Sequence, residues 1–465
     1  MIPIDVVKRV LTEALRTGGD LAELYVENQT TLDLRMDDSK LESATRGEDQ
    51  GAGVRVFFGN LVTYAYTDSL DEASLINAAR AAAAAAKGTS TRQVVDLSLR
   101  KSSLNFKIEK PFDSMSIAAK ASLLSEADVA VRAHSPFIKQ VGARYGEENR
   151  RVWVYNSDGL QVEDDRSFVE VRGMVTAQKG QVLQTAIGAF GGQLGLELLD
   201  HRDFIAEITK AADDAIQMLD ARPAPAGEMT VVMCNGWGGV LFHEACGHQM
   251  EADFINKGQS AYAGKVGQKV ANPIINAFDD GTIPGRRGSL RFDDDGTSSQ
   301  RTQLIKDGIL TDYMYDLVEA RRINRASSTG NGRRESYRHL PMPRMTNTFI
   351  DAGPHDPEEI IRSTPKGIYV QQMAGGQAEI SKGDFVFNAT VAYLIEDGKL
   401  TTPIRGATMM GNGPKVLQEI DMVGTDLALD PGMGTCGKGQ SARVSVGQPT
   451  VRIPLVMVGG TDESA

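Results

Sequence analysis

The apolar positions of this 465-residue chain change period at a few sharp places, and those changes divide it into elements. From Ile4 to Arg16, residues Val6, Val7, Val10, Leu11 and Leu15 share one helical face, and Gly18-Gly19 ends the run. Leu21–Glu27 and Thr30–Met36 alternate as strands, and Gly53–Phe58 with Asn60–Thr67 forms a hairpin around Gly59. Asp71–Lys87 returns to helical spacing, opening on acidic residues and closing before Gly88. Residues 89–112 are polar and unpatterned, an excursion. Ser114–Ala133 is helical, and strands follow at Ile138–Tyr145, Arg151–Asn156, Ser167–Gln178 and Gln181–Thr185, with a turn at Ser157-Asp158-Gly159. Gly188–Gly195 is read as a turn or a close backbone approach, and His201–Leu219 as a helix.

Ala221–Gly227, containing Arg-Pro-Ala-Pro-Ala-Gly, has linker composition, so the expected domains are 1–222 and 223–465. Beyond it a short strand, Met229–Met233, and Gly236-Trp237-Gly238-Gly239 lead into a helix. Strands are then expected at Ile274–Asp279, Gly288–Asp293, Arg301–Lys306, Thr346–Ile350, Gly367–Gln372, Asp384–Glu396 and Val451–Val458. Asp307-Gly308 and Asp397-Gly398 mark hairpin turns, and Asp312–Ile323 is expected to be helical. The fold class is α+β: an N-terminal α/β domain of antiparallel sheet and flanking helices, then a β-rich domain that carries the helix after Gly239.

Apolar content of 41% and charged content of 24% are those of a soluble globular protein. The net charge of −11 argues against a generic binder of phosphate backbones, which needs a basic face. The best local basic patch is Asn331-Gly332-Arg333-Arg334 with Arg338 and Arg344. Three cysteines, Cys234, Cys246 and Cys436, make no disulfide framework and fit a reducing cytosol. Asp5, Lys8 and Arg9 interrupt any signal sequence, and the apolar run Ala81–Ala86 is far too short to span a bilayer, so the expected location is cytoplasmic, without membrane.

The chemistry concentrates in His243-Glu244-Ala245-Cys246-Gly247-His248, which holds two of the six histidines in the chain. Imidazole is a common zinc ligand, and a carboxylate beside a metal can accept a proton from water. The histidines stand at i and i+5, not the i and i+4 of the better-known metallopeptidase helix. On a straight helix that spacing turns them roughly 140° apart, so one ion can be shared only on a deformed helix. A π-bulge, or a distortion that Gly247 permits, would restore the phase. A third donor is also needed. Cys246, Glu251 and Asp253 are local. Cys436 is distant and stands among glycines and Lys438, a setting that favours thiolate. On chemistry Cys436 and Glu251 stand level.

The chain resembles the TldD/PmbA family of zinc metalloproteases, on the TldD side. The resemblance rests on His243–His248, Asn331-Gly332-Arg333-Arg334, Arg344-Met345-Thr346-Asn347-Thr348, Gly375-Gly376-Gln377, Gly383-Asp384-Phe385-Val386-Phe387, Cys436-Gly437-Lys438-Gly439-Gln440, Gln448-Pro449-Thr450 and Val458-Gly459-Gly460. It implies zinc held by His243, His248 and Cys436, with Glu244 as general base. It also implies the catalytic subunit type, because PmbA-type paralogues lack the His-Glu motif, and a homodimer or a heterodimer with such a paralogue. The family's older label, modulator of DNA gyrase, fits direct DNA binding poorly at this net charge.

The expected activity is hydrolysis of unstructured peptides or flexible protein segments, by extended chains that add to a sheet edge at a recessed site. Tyr337, His339 or an arginine are candidates to support the oxyanion. Two other readings stay open. A zinc-stabilised adaptor subunit would close its metal with four protein ligands, and a nucleic-acid regulator would bind with steep salt dependence.

Overall fold

The computed structural model describes residues 2–460 as an α+β molecule built on three main sheets. The N-terminal sheet is an antiparallel meander of long strands: Leu61–Thr67, Lys40–Phe58, Leu21–Asp37, Ile138–Asn156, Leu160–Lys179 and Val182–Gly192, in that spatial order. Helix Ile4–Ala14 buries Val6, Val7, Val10 and Leu11 against it beside helix Glu72–Ala84, whose N-cap Asp71 accepts from the Ser74 amide. Helices Ile117–His134 and Phe204–Gln217 cover a second cluster farther along the same strands.

Several expected strands are halves of longer ones. Leu21–Asp37 runs 17 residues and Ile138–Asn156 runs 19, through Asn28-Gln29 and Gly146–Arg150, where the apolar alternation lapses. The ladder carries them across those polar stretches: Asn28 pairs with Gln50 on one side and Arg151 on the other. Lys40–Ala52 shows no apolar face because most of it is exposed; it is a strand through its pairing with Leu21–Asp37. The Gly188–Gly195 segment is a close backbone approach. A Cβ on Gly192 would lie 2.5 Å from the Gly285 carbonyl oxygen, and one on Gly195 2.3 Å from that of Lys110.

In the C-terminal half, strands Lys366–Glu379, Gly227–Met233, Val451–Gly459, Thr408–Asn412 and Asp384–Glu396 pair in sequence, and the last pairs back on the first, closing a five-membered ring. A second, six-stranded sheet includes Ala277–Asp280, Arg301–Lys306, Asn347–Ile350 and Ser445–Gln448. The expected turns at Asp307-Gly308 and Asp397-Gly398 are present, all four residues at positive φ. The expected linker is less free than its composition: Arg222–Pro223 pairs with Ile404–Arg405 at the edge of the ring sheet.

Two expectations fail for one reason, local side-chain capture of the backbone. Gly288–Asp293 is not a strand. Asp293 accepts from the amides of Asp295, Thr297 and Gly332, which winds the segment into a turn. Of Asp312–Ile323 only Leu317–Arg322 is helical, beginning where Asp316 caps the Glu319 amide, while the Tyr315 amide is drawn off to the Thr329 hydroxyl.

The two halves meet through a buried seam. Tyr25, Val152, Val154, Leu160 and Val162 pack on Phe292 and Tyr337 from the other half. Around them Arg55 bridges Glu23 and Asp295, and Arg334 reaches Glu23 at 2.9 Å. Among the described residues no helix is long and apolar enough to cross a membrane.

Candidate metal centre

The segment Gly236–Met250 changes helical type three times within fifteen residues: a 3-10 turn, one α turn at Val240–Phe242, a π turn at His243–Gly247 and a 3-10 turn at His248–Met250. The π turn is the distortion the i, i+5 spacing requires. It brings the two imidazoles to a centroid separation of 5.2 Å, nearly perpendicular at 79°. The widened turn is held by its surroundings. The Gln249 side chain donates to the Ala245 carbonyl at 2.5 Å, inserting into the ladder. Gly247 has no room for a side chain, since a Cβ there would sit 2.5 Å from the Met345 sulfur. Gly239 lies directly on the Gly447 backbone, fixing the start of the segment.

Cys436 arrives from 188 residues away, on Thr435–Gly437 of a two-stranded hairpin with Ser441–Arg443. Its Sγ lies 3.0 Å from His248 Nε2. Arg344 clamps this hairpin, its two guanidinium nitrogens donating at 2.6 Å to the carbonyls of Cys436 and Gln440. One ligand atom each from His243, Glu244, His248 and Cys436 can be chosen so that all four lie within 4.8 Å of one another. Glu244 stands 4.0 Å from His243 Nε2 and 3.8 Å from His248 Nε2. Its side chain is 31% exposed against 3% and 4% for the two histidines, so the cluster opens to solvent on the Glu244 side.

Glu251, level with Cys436 on chemistry, is not among these four. It lies behind His248, accepting from Nδ1 at 3.0 Å, and is itself held by Lys438 at 2.9 Å. Lys438 also donates to Asp253 at 2.7 Å, which removes that second local candidate. Cys246 points into the core, where burial pushes its thiol up to about 12. Tyr337 is buried with its hydroxyl on Asp49, and His339 is turned to Ser336; neither belongs to the cluster. Sequence reasoning gave Lys438 only as the electropositive setting of Cys436, not as the partner of Glu251, and missed Arg344 as a support of the centre. Their signal was their place inside the two motifs, two residues after Cys436 and one before Met345.

The electrostatics favour a cation-binding thiolate. Burial alone would raise the Cys436 thiol, but the His243 and His248 rings outweigh it and bring it down to about 4. Burial likewise opposes a charged His248, yet the Glu251 carboxylate and the Cys436 sulfur push it up to about 10. The His243 ring is buried with Nδ1 unpartnered, while its Nε2 faces Glu244 in the cluster. Two imidazoles and a thiolate are a donor set suited to zinc, with room for a fourth position.

Residues 22–86, 110–219 and 226–460 match, in order, the PmbA/TldA metallopeptidase domain 1, central domain and C-terminal domain. A metalloprotease TldD homolog of Haemophilus influenzae is 40% identical over 457 residues, covering 95% of this chain and 93% of that one. Among solved structures, TldE from Thermococcus kodakarensis superposes with a TM-score of 0.79 at 19% identity, covering 98% of this chain and all of that one. A Thermotoga maritima protein with the provisional label of a modulator of a DNA gyrase gives 0.81 at 19%, with the same coverage. At that identity these two neighbours speak for the fold alone, while the matched domains and the Haemophilus relative establish more: the chain belongs to the PmbA/TldD family of metallopeptidases, on the TldD side.

Proposed function

We propose that this metallopeptidase is zinc-dependent, with His243, His248 and Cys436 as the ligands and Glu244 as the general base. The observation that carries the reading is the division of labour within the cluster. Three donors are buried, and one carboxylate faces the side from which substrate must come. Zinc at these donors would acidify water and polarise the scissile carbonyl. Glu244, within 4.0 Å of both imidazoles, accepts the proton of the attacking water and hands it to the departing amine. Glu251 holds the His248 ring in orientation and raises the basicity of its other nitrogen, as carboxylates behind metal-bound histidines do. Three buried ligands with a partly exposed carboxylate beside them favour this reading over a closed structural zinc in an adaptor subunit.

The substrate reading is an unstructured peptide or flexible segment, bound as an extended strand. The centre lies at the meeting of a distorted helix and a distant hairpin, and its donors are nearly inaccessible, which favours a chain thin enough to thread. We keep 1–222 and 223–465 as the two domains, a homodimer or a heterodimer with a PmbA-type paralogue as the assembly, and the cytoplasm as the location. The three cysteines are free, which suits a reducing compartment. The test digests one protein side by side in its folded state and as an unfolded variant, with and without chelator. Cleavage of the unfolded form alone, abolished by chelator and restored by zinc, is expected. Equal rates for both forms would sink the threading argument, and indifference to chelator the metal.

A further inference from the structure

The basic patch of the sequence does not form an exposed face: Arg333, Arg334 and Arg344 fold inward, and only Arg338 stays at the surface. Arg333 and Arg334 join Arg150, Arg166, Arg287 and Arg443 around a cavity of about 480 Å³ at the seam between the two halves, with Arg338, paired to Asp49 at 2.6 Å, at its exposed rim. Of the six inner arginines all except Arg443 are nine-tenths buried or more. Five of the six carry a carboxylate partner: Arg150 with Glu27 at 2.5 Å, Arg166 with Asp294 at 2.7 Å, Arg287 with Glu170 at 2.7 Å, Arg334 with Glu23 at 2.9 Å and Arg443 with Glu148 at 2.5 Å. Arg333 is the exception. It is 6% exposed, lines the cavity, and among the described residues has no carboxylate within salt-bridge distance. Its one hydrogen bond goes from Nη1 to the Met345 carbonyl at 2.9 Å. Burial lowers its pKa to about 10, against the pull of the more distant Asp294 carboxylate.

A buried guanidinium without a counter-ion is costly to keep, and its planar fork matches a carboxylate in two parallel hydrogen bonds. The place ties it to the metal centre. Thr435, next to Cys436, and Ala442, which pairs across from Cys436, line the same cavity. Met345, whose carbonyl holds Arg333, packs its sulfur under Gly247 of the π turn.

We propose that this cavity is a carboxylate subsite of the peptide substrate, with Arg333 as the specificity-determining residue. The inference rests on the peptidase reading above. A monoanion fits better than a phosphate dianion, because Arg333 is the one inner arginine of the cavity with no carboxylate within salt-bridge distance, and Asp294, already on the lining, disfavours a second negative charge. The carboxylate comes either from the C-terminus of the substrate or from an Asp or Glu side chain.

The test uses four peptides of one sequence: free C-terminus, amidated, amidated with one Glu, and amidated with Gln in place of that Glu. The holoenzyme should show kcat/KM about tenfold or more higher for the acid of whichever pair supplies the anion, the range of a charge-assisted bidentate contact. The readout is the acid-to-neutral ratio within each enzyme. In Arg333→Gln that ratio should fall to about one, and in Arg333→Lys it should be intermediate, with circular dichroism checking that both fold. A ratio near one for both pairs in the wild type, or an undiminished ratio in Arg333→Gln, overturns the proposal. A second arm separates its failure from that of the peptidase reading: calorimetric titration of N-acetyl-dialanine and its amide. If no peptide is cleaved, the peptidase reading has failed, yet tighter binding of the acid that is lost in Arg333→Gln still supports the anion site; equal binding of acid and amide overturns it.

Discussion

Glu251 offers the sharpest test of the metal centre, because before folding it rivalled Cys436 as the third ligand. It is fully buried and touches three groups: His248 Nδ1 at 3.0 Å, Lys438 at 2.9 Å and, more distantly, Arg344 at 3.9 Å. Burial disfavours its charge, but His248 and the Lys438 ammonium outweigh that and hold the carboxyl down to about 2. Glu251→Gln keeps the shape and an acceptor for Nδ1 and removes the charge. If Glu251 only orients His248, zinc affinity should fall about 10–100-fold while saturating zinc still fills the site once per chain. Glu251→Ala also leaves Lys438 with Asp253 as its one carboxylate. Breaking a buried pair of this kind costs about 3–5 kcal/mol, a fall in Tm on the order of 10 °C for domains of this size. Cys436→Ser should instead weaken the metal far more, because a hydroxyl is a poor substitute for thiolate, with a smaller loss of thermal stability in the metal-free protein. The assays are zinc titration against a competing chelator and calorimetric melting of metal-free protein. A Glu251→Gln protein that cannot be filled at saturating zinc, beside a Cys436→Ser protein that can, would refute the assignment and make Glu251 the ligand.

Glu244→Ala should retain about one zinc per chain and lose about 10²–10⁴-fold in kcat, as expected for a group that moves protons; loss of the metal with that change would make it a fourth ligand, and the site structural. The metal-free protein should hold one thiolate at about pH 6, seen in its ultraviolet absorbance and absent in Cys436→Ser, since the Cys436 thiol is brought down to about 4 while burial pushes Cys234 and Cys246 up to about 11 and 12. An absorbance at that pH that does not change on Cys436→Ser would remove the electrostatic argument for a thiolate ligand.

Local sequence determined what local physics controls. Apolar spacing placed the first helix to within two residues, Asp-Gly pairs marked two hairpins, and the i, i+5 histidines called for a helix out of α phase, which the π turn supplies. Strand lengths were not legible, because Asn28-Gln29 and Gly146–Arg150 are strand only through partners that the ladder provides. Nor were the turn at Asp293 and the late start of the helix at Leu317, where carboxylates take amides that a periodic reading assigned to strand or helix. Tertiary structure alone separated Cys436 from Glu251. Both carry suitable donors, and only the hairpin clamped by Arg344 decides which one meets the histidines and which one stands behind them. It also turned a basic stretch that reads as surface into the lining of a cavity. Every inner arginine around it except Arg333 finds a carboxylate on a segment at least 117 residues away, and sequence distance says nothing about such pairings.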